Sequence, residues 1–390
     1  MLNLSSIIPP EEIQFLRVEL APFIGCLKHL ATGPEVAVRR VHRDKDGDGI
    51  YIGQSGFDPY AIDAIQKLMP SRGLRRSARH SQVVPDPRNL HIRTRRSHTD
   101  EVCSIAVTLA FALGANPWLC LAGALGHDIG HTPLGHPGEM FLAKKTGQPF
   151  RHEVFACVVA QHIERSGHGL NLTKQTLQVI HRHSRGAKEM TVGTLSLEEA
   201  IVMYADKIAY LFADYNDVIR LEKGGCWVCL SQPEMAEIHA AMRELGASQR
   251  ERVARCVIAL VRESAEMGSI SFSHGQVFER FEVARRLMYK FYPSNNPSEH
   301  GHSIFDAVYE AVAEILPDVN TAALFALLCD EDLAILADYI RSRPTPAIRD
   351  LLLNELSVSD VIPALRGATI DPFNPDLNWE GIPDISYSVI

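Results

Sequence analysis

The chain has 390 residues, of which 46% are hydrophobic and 22% are charged. This composition excludes a disordered, collagen-like or coiled-coil protein and indicates two or three units, or one large helical domain with additions. Eight scattered cysteines are too few for a disulfide scaffold and indicate reduced thiols in the cytoplasm. No apolar run approaches the roughly 18 residues of a membrane span, and the N-terminus lacks signal-peptide features, so we expect no membrane partner.

Positive charge is concentrated in one segment of this acidic chain, whose formal net charge is −8. Residues 71–98 contain eight arginines and a single acid, Asp86, which gives this segment +7 and leaves −15 for the remainder. Guanidinium groups match the geometry of phosphate, so the segment is either a phosphate-binding surface or a solvated loop. The arginines are Arg72, Arg75, Arg76, Arg79, Arg88, Arg93, Arg95 and Arg96.

Apolar residues recur at helical spacing along most of the chain. Asn116 before a proline is a helix start signal, and Gly246 is a helix stop. Short β-like stretches at 49–53 and 269–272 allow one small hairpin, and the residues from 370 onward form an extended tail, packed on the body or loose. The pattern therefore predicts an all-α protein. Helices are predicted over residues 101–113, 116–127, 197–220, 234–245, 248–266, 277–291, 303–316 and 331–341.

Two further motifs carry little weight. Asp44, Asp46 and Asp48 resemble the start of a calcium loop, but Ser55 stands where a bidentate glutamate is required, so a polar turn is the better interpretation. Cys226 forms a CxxC with Cys229, without the second pair that a zinc site needs.

Histidine and aspartate carry the strongest chemical signal. His98 lies at the start of a predicted helix, and His127 and Asp128 lie at the end of the next one. Asp206 lies within an otherwise apolar helical segment, where a carboxylate is costly unless it is paired or bound to metal. Two imidazoles and two carboxylates form a mixed site that suits Mn²⁺, Fe²⁺, Co²⁺, Ni²⁺ or Zn²⁺, and also Mg²⁺.

The order His, His-Asp, Asp resembles that of the HD-domain phosphohydrolases, and the surrounding sequence resembles their deoxynucleoside triphosphate triphosphohydrolase (dGTPase-like) group. The matching segments are RTRRSHTDEV at 93–102, ALGHDIGHTPLGHPGE at 124–139, GLNLT at 169–173 and ADKIAYLFADYNDVIR at 205–220. The resemblance covers residues 72–220 well. It implies a helical HD fold with additional C-terminal helices.

The resemblance also implies residue roles. His98, His127, Asp128 and Asp206 are the implied metal ligands, with Mn²⁺ as the first candidate metal. His136 and Glu139 are the implied catalytic pair, and their spacing at a helix start allows the carboxylate to orient the imidazole. The implied substrate contacts are Gln82, Arg95, His131, His152, Lys207, Tyr210 and Asp214. His162, His168, His181 and His183 lack a motif and are interpreted as surface residues or as supports behind the site.

The implied reaction cleaves a dNTP at the α-phosphorus to a deoxynucleoside and tripolyphosphate. Two alternatives stay open at this point: another HD phosphohydrolase, either a nucleotidase or a phosphodiesterase, and a nucleotide- or single-stranded-DNA-binding regulator on an HD fold. The resemblance further implies a homo-oligomer, with a hexamer among the expected forms, and a dNTP or single-stranded DNA as effector.

The sequence also predicts four consecutive segments along the chain. Residues 1–70 form an N-terminal extension, residues 71–225 the catalytic core, residues 226–345 a C-terminal helical region, and residues 346–390 a terminal helix with an extended tail.

Overall fold

A computed structural model gives the fold of the chain. The structure describes residues 19–40, 58–82, 91–184, 190, 192–223, 232–291, 299–367 and 370–379. The aspartate motif that begins at Asp44, the cysteine pair at Cys226 and Cys229, and the β-like stretch 49–53 all lie outside these residues.

Within the described ranges the chain is helical and forms no sheet, apart from three isolated β-bridges, which confirms the all-α prediction. The helices are α1 (Pro59–Ala61, continued by a π-helical turn Ile62–Leu68), α2 (Arg72–Arg76), α3 (Arg95–Leu113), α4 (Pro117–Gly126), α5 (His136–Thr146), α6 (His152–Val158), α7 (Lys174–Arg182), α8 (Leu197–Lys223), α9 (Gln232–Leu245), α10 (Gln249–Met267), α11 (Gly275–Phe291), α12 (Glu299–Ile315), α13 (Thr321–Leu327), α14 (Asp330–Ser342), α15 (Thr345–Asp350) and α16 (Ile362–Leu365). No helix among them is long and apolar enough to cross a lipid bilayer.

Each predicted helix matches an observed one to within a few residues, except that α3 begins six residues earlier than predicted. The sequence analysis predicts no helix at α1, α2, α6, α7 or α13. Helices α6 and α13 are almost wholly buried and therefore show no amphipathic period. Helix α7 is amphipathic and was missed although its period is visible. The hairpin strand predicted at 269–272 is wrong. This stretch is a loop in which Glu263 accepts hydrogen bonds from the Ser271 hydroxyl at 2.6 Å and the Ser273 amide at 2.8 Å.

The chain divides into two compact units that interleave along the sequence. The first contains residues 1–32, 102–120 and 185–291, and the second contains residues 33–101, 121–184 and 292–390. The four consecutive segments proposed above describe a different division, and they stay a prediction.

The first unit is built on the long helix α8, which packs against α10 and α11, while α9 lies along α11. Aromatic contacts fill its core, with Phe212 and Phe281 ring centroids 6.1 Å apart. The fully buried Glu198 in the first turn of α8 accepts hydrogen bonds from the amides of Thr32, at 2.9 Å, and Asn116, at 3.1 Å. One carboxylate therefore joins three separate stretches of sequence.

An aromatic cluster in the second unit fixes the position of α5. Phe141 of α5 lies 5.2 Å from Phe305 of α12 and 5.1 Å from Phe325 of α13, measured between ring centroids. Since α5 begins at His136, this packing also fixes where that histidine stands.

The sequence left open whether the tail is packed or loose. Its described part, residues 370–379, packs on the second unit. Trp379 is 6% exposed, and Asp376 pairs with Arg40 and with His162, whose Nε2 lies 3.0 Å from its carboxylate. Residues 370–379 are therefore held by both apolar and ionic contacts.

A buried ion cluster stabilises the second unit around Asp63, which is fully buried. Its carboxylate lies 2.6 Å from the Arg39 guanidinium and 3.4 Å from the Lys67 ammonium, and it accepts a hydrogen bond from the Thr173 amide at 2.8 Å. Burial alone would raise the pKa of Asp63, but these partners hold it below its usual value.

Asp63→Asn should lower the free energy of unfolding by about 3–5 kcal/mol, because two buried cations lose their anion. The folded-state pKa of Asp63 is depressed, so its contribution is complete above the unfolded carboxyl pKa of about 4 and is lost as pH falls toward the folded value. Urea unfolding at several pH values should therefore show a difference between wild type and variant that shrinks below pH of about 4.

Asp338→Asn is the matched control, because Asp338 pairs with Arg341 at 3.7 Å on the surface of α14. This exposed substitution should change stability by less than about 1 kcal/mol. Equal effects of the two substitutions would contradict a stabilising role for the buried cluster.

Candidate functional site

Three of the four predicted metal ligands come together in the second unit. His98 lies in the first turn of α3, and His127 and Asp128 follow the last residue of α4. All three side chains are buried, and their ligand atoms lie within 4.8 Å of one another. Two helix ends therefore present two imidazoles and a carboxylate to one point.

The ring of His127 is held in the tautomer that a metal ligand needs. Its Nδ1 lies 2.7 Å from the carbonyl oxygen of Ala124, and since a carbonyl can only accept, Nδ1 donates the hydrogen bond. In the neutral ring the lone pair is then on Nε2, which lies 3.5 Å from the Asp128 carboxylate. This arrangement matches the way in which backbone carbonyls orient ligating histidines.

The donor set fits a divalent first-row metal, because two imidazoles with one carboxylate favour such ions. Burial alone would raise the pKa of Asp128, but His127, His131 and Arg95 hold it well below its usual range. The carboxylate is therefore ionised, as metal binding requires.

Two further histidines stack beside this cluster. The rings of His131 and His152 lie 3.8 Å apart at an angle of 16°. His131 Nε2 lies 3.1 Å from Asp128 Oδ1, while the Nδ1 atoms of His131 and His152 lie 3.1 Å and 2.9 Å from Glu139 Oε1. The stacked pair therefore connects the carboxylate of the metal cluster to that of α5.

The two stacked rings differ in their proton affinity. Burial, Arg95 and the neighbouring His152 lower the pKa of His131 to about 4. Burial opposes the charging of His152, but Glu139, Glu153 and Asp128 outweigh it and raise the pKa of His152 to about 9. The surroundings therefore shift the pKa values of the two rings in opposite directions, and His152 has the higher proton affinity.

The predicted catalytic residues lie together, although their contacts differ from the expectation. Glu139 was expected to orient His136, and a ring nitrogen of His136 does lie within 4.8 Å of its carboxylate. The shorter contacts of this carboxylate are with His152 and His131. The exposed ring of His136 stands edge-on to the stacked pair, 5.6 Å from His131 and 5.8 Å from His152. Glu139 thus orients the stacked rings of His131 and His152, against which the edge of the His136 ring lies.

Two glycines shape the loop before α5. Gly135 has a φ of 67°, and a Cβ there would lie 2.5 Å from the Arg95 guanidinium. A Cβ on Gly130 would lie 2.2 Å from the carbonyl oxygen of His152, so this glycine allows the loop to approach α6 closely enough for the rings to stack. The glycines of the sequence predicted a loop here, but they did not predict that Gly130 approaches α6.

Arg95 and Gln82, both predicted substrate contacts, lie on neighbouring segments joined by an isolated bridge between Ser81 and Thr94. Arg95 Nη1 lies 2.9 Å from Asp128 Oδ2, so Arg95 is paired with a metal-cluster residue. The side-chain oxygen of Gln82 is buried and has no hydrogen-bond partner among the described residues. A ligand hydroxyl there would satisfy it.

Four predicted residues lie on α8 in the first unit. Lys207 and Asp214 are buried, and Tyr210 is half-buried, with its hydroxyl 2.9 Å from that of Tyr289. Burial lowers the pKa of Lys207 and raises that of Tyr210 well above its usual value. The fourth residue is Asp206, and its role as a metal ligand stays a prediction.

The structure adds Asp330, which the sequence did not single out, and it decides between the two interpretations of His183. His183 is 2% exposed, and its ring centroid lies 5.1 Å from His127 and 5.5 Å from His152. It is therefore a support behind the site rather than a surface residue. Asp330 of α14 accepts hydrogen bonds from the amides of Leu134, at 2.7 Å, and Ser81, at 2.8 Å. No motif marks either residue, because each acts through contacts that form only on folding.

Comparison with known proteins identifies the relatives of this chain. The HD domain family matches residues 95–211, a range that contains all four predicted metal ligands. A deoxyguanosinetriphosphate triphosphohydrolase-like protein of Clostridium tetani is 31% identical over 252 residues, which cover 64% of this chain and 70% of that protein. The chain belongs to the HD-domain, deoxyguanosinetriphosphate triphosphohydrolase-like family. This confirms the family resemblance seen in the sequence.

Other members of the family match a shorter part. Proteins with the same description from Caldanaerobacter subterraneus and Desulfatibacillum aliphaticivorans are 44% and 40% identical over 154 and 159 residues. Each match covers 40% of this chain, and it covers 44% and 45%, respectively, of those relatives. The chain thus spans less than half the length of these two relatives.

His183→Ala should weaken divalent metal binding by about tenfold or more, because the ring that packs against His127 is lost. His181→Ala, in the last turn of α7, is the matched control and should leave the affinity unchanged. Mn²⁺ titration monitored by electron paramagnetic resonance measures both. Unchanged affinity in the His183 variant would show that His127 keeps its orientation without this contact.

Proposed function

We propose that this protein is a metal-dependent dNTP triphosphohydrolase, which cleaves a dNTP to a deoxynucleoside and tripolyphosphate. The observation that carries the proposal is the position of Asp128, whose carboxylate belongs both to the metal-donor cluster and to the stacked histidine pair. The family supports the same reaction, since its members are described as deoxyguanosinetriphosphate triphosphohydrolase-like.

His98, His127 and Asp128 would hold the metal, with Asp206 as the proposed fourth ligand and Mn²⁺ as the first candidate. When bound, a divalent cation supplies Lewis-acid polarisation of the phosphoryl group and activation of water. Asp128 is suited to this task because Arg95 and the neighbouring histidines lower its pKa despite its burial.

The histidines supply proton transfer and positive charge. His136 is exposed at the N-terminus of α5, so it can reach the 5′-oxygen that leaves the α-phosphorus and donate a proton to it. Glu139 and Glu153 raise the pKa of His152, so this ring can supply positive charge against the negative charge that develops in the transition state. Glu139 fixes the orientation of this ring.

The remaining contacts are proposed from the family resemblance. Arg95 and Lys207 are proposed to bind the phosphates, together with His131. Tyr210 is proposed to pack at the 2′ carbon and so to exclude a ribose, while Asp214 and the buried side-chain oxygen of Gln82 hold the 3′-hydroxyl. Homo-oligomeric assembly and a dNTP or single-stranded DNA effector belong to the same proposal and rest on the resemblance.

Incubation of the protein with each dNTP and Mn²⁺ should release tripolyphosphate and the deoxynucleoside, because the proposed proton donor serves the 5′-oxygen. Ion chromatography resolves the phosphate products. Pyrophosphate or orthophosphate would refute the assignment of attack to the α-phosphorus and favour another HD phosphohydrolase.

His136→Gln should lower kcat by about 100-fold or more, because the leaving oxygen loses its proton donor. Metal content measured by mass spectrometry should stay at the wild-type level, since His136 lies outside the His98, His127 and Asp128 cluster. Asp128→Ala should lose both metal and turnover. A His136 variant with wild-type kcat would exclude this residue as the general acid.

A further inference from the structure

A second cationic cavity lies in the second unit, lined by residues other than those of the candidate site. Its volume is about 250 Å³, and four arginines line it: Arg72, Arg75, Arg76 and Arg79. They come from α2 and the turn that follows, which is the first half of the arginine-rich segment. Much of the remaining wall is aliphatic, with Val159, Leu327 and Val361 among its residues.

The exposed arginines of this cavity are weakly neutralised. Arg75 is exposed and has no ion-pair partner within the described residues. Arg79 pairs with Glu331 at 2.8 Å, but both side chains are more than half exposed. Arg72 lies 3.9 Å from the exposed carboxylate of Asp360. Surface pairs of this kind contribute little, so a ligand anion can replace them at low cost.

Arg76 is the most enclosed of the four cations. Its guanidinium donates hydrogen bonds to the carbonyl oxygens of Ile129, at 2.7 Å, and Ala326, at 3.3 Å, which are neutral acceptors. Burial lowers the pKa of Arg76 to about 10, although neighbouring acids oppose the shift. An arginine that is hydrogen-bonded to neutral groups and lines a cavity still favours an anion at that cavity.

The buried carboxylate of this cavity is already engaged. Glu164 accepts hydrogen bonds from the backbone amides of Gly73, at 2.6 Å, and Arg72, at 3.2 Å, and so caps α2. Glu164 therefore fixes the start of α2, the helix that carries three of the arginines, and its carboxylate is hydrogen-bonded to backbone amides rather than to a guanidinium group. Four arginines and two acidic residues, the buried Glu164 and the exposed Asp360, line the cavity, so its lining has an excess of positive charge.

We propose that this cavity binds a small phosphate monoester, with the phosphoryl group on the arginines and an apolar organic group against the aliphatic wall. Guanidinium groups match phosphate in geometry and charge. The volume of about 250 Å³ falls below the usual range for drug-sized ligands, so the ligand is smaller than a dNTP.

This site is separate from the candidate active site, but it shares one contact with it. Arg76 reaches the carbonyl of Ile129, the residue that follows Asp128. The arginine-rich segment therefore contributes to two sites. Arg95 pairs with Asp128 of the metal cluster, whereas the arginines of α2 line the second cavity.

Titration of phenyl phosphate into the protein by isothermal calorimetry, in metal-free buffer, tests the proposal. The double substitution Arg75→Ala and Arg79→Ala should weaken binding by about tenfold or more, because two charge-assisted contacts are lost. Arg76 is left unchanged, because its guanidinium donates a hydrogen bond to the Ile129 carbonyl beside the candidate site. Inorganic phosphate should bind more weakly than phenyl phosphate, since it lacks the apolar group.

Two control variants separate this site from others. Arg255→Ala removes an exposed arginine paired with Glu251 at 2.7 Å and should leave the affinity unchanged. Arg95→Ala should also leave the affinity of this cavity unchanged, because Arg95 pairs with Asp128 and is not among the residues that line the cavity. Loss of binding in the Arg95 variant but not in the double variant would overturn the proposal, as would equal binding of benzoate and phenyl phosphate.

Discussion

The shared carboxylate of Asp128 organises the candidate site. It lies 2.9 Å from Arg95 and 3.1 Å from His131, and it is within reach of the metal-donor atoms of His98 and His127. A carboxylate this buried is costly unless cations and donors surround it. The surrounding elements are arranged to supply them, since α3 provides His98 and Arg95, and the loop after α4 provides His131. The proposed metal binding, phosphate binding and proton transfer would therefore all depend on one ionised group.

Much of the fold could be predicted from the sequence because the amphipathic helices show their period directly. The long helix α8 and the helices α9 to α11 are examples, each with an apolar face and a polar face. Helix α6 could not be predicted, because all seven of its residues are buried and no polar face remains to mark the period. The same burial makes α6 important, since its first residue is His152.

The identity of the candidate residues was predictable, whereas their pairing was not. His98, His127 and Asp128 were predicted from spacing and from the family, and the structure brings them together. Glu139 was paired with His136 because three residues separate them on one helix, yet its carboxylate contacts His152, which is 13 residues away. Spacing describes neighbours within a helix, but a contact between a loop and another helix depends on packing. Asp330 was not singled out for the same reason, and the sequence could not decide whether His183 is a surface residue or a support.

Gly130 shows how such packing determines which positions of this chain tolerate substitution. The backbone at this position approaches α6 so closely that the first carbon of any side chain would overlap the His152 carbonyl. The loop and α6 contribute one ring each to the stacked pair, so a substitution at Gly130 displaces His131 from His152. A residue without a side chain is therefore expected to be as sensitive to substitution as the histidines of the candidate site. A mutational scan would class it with the histidines, although it offers no functional group to the reaction.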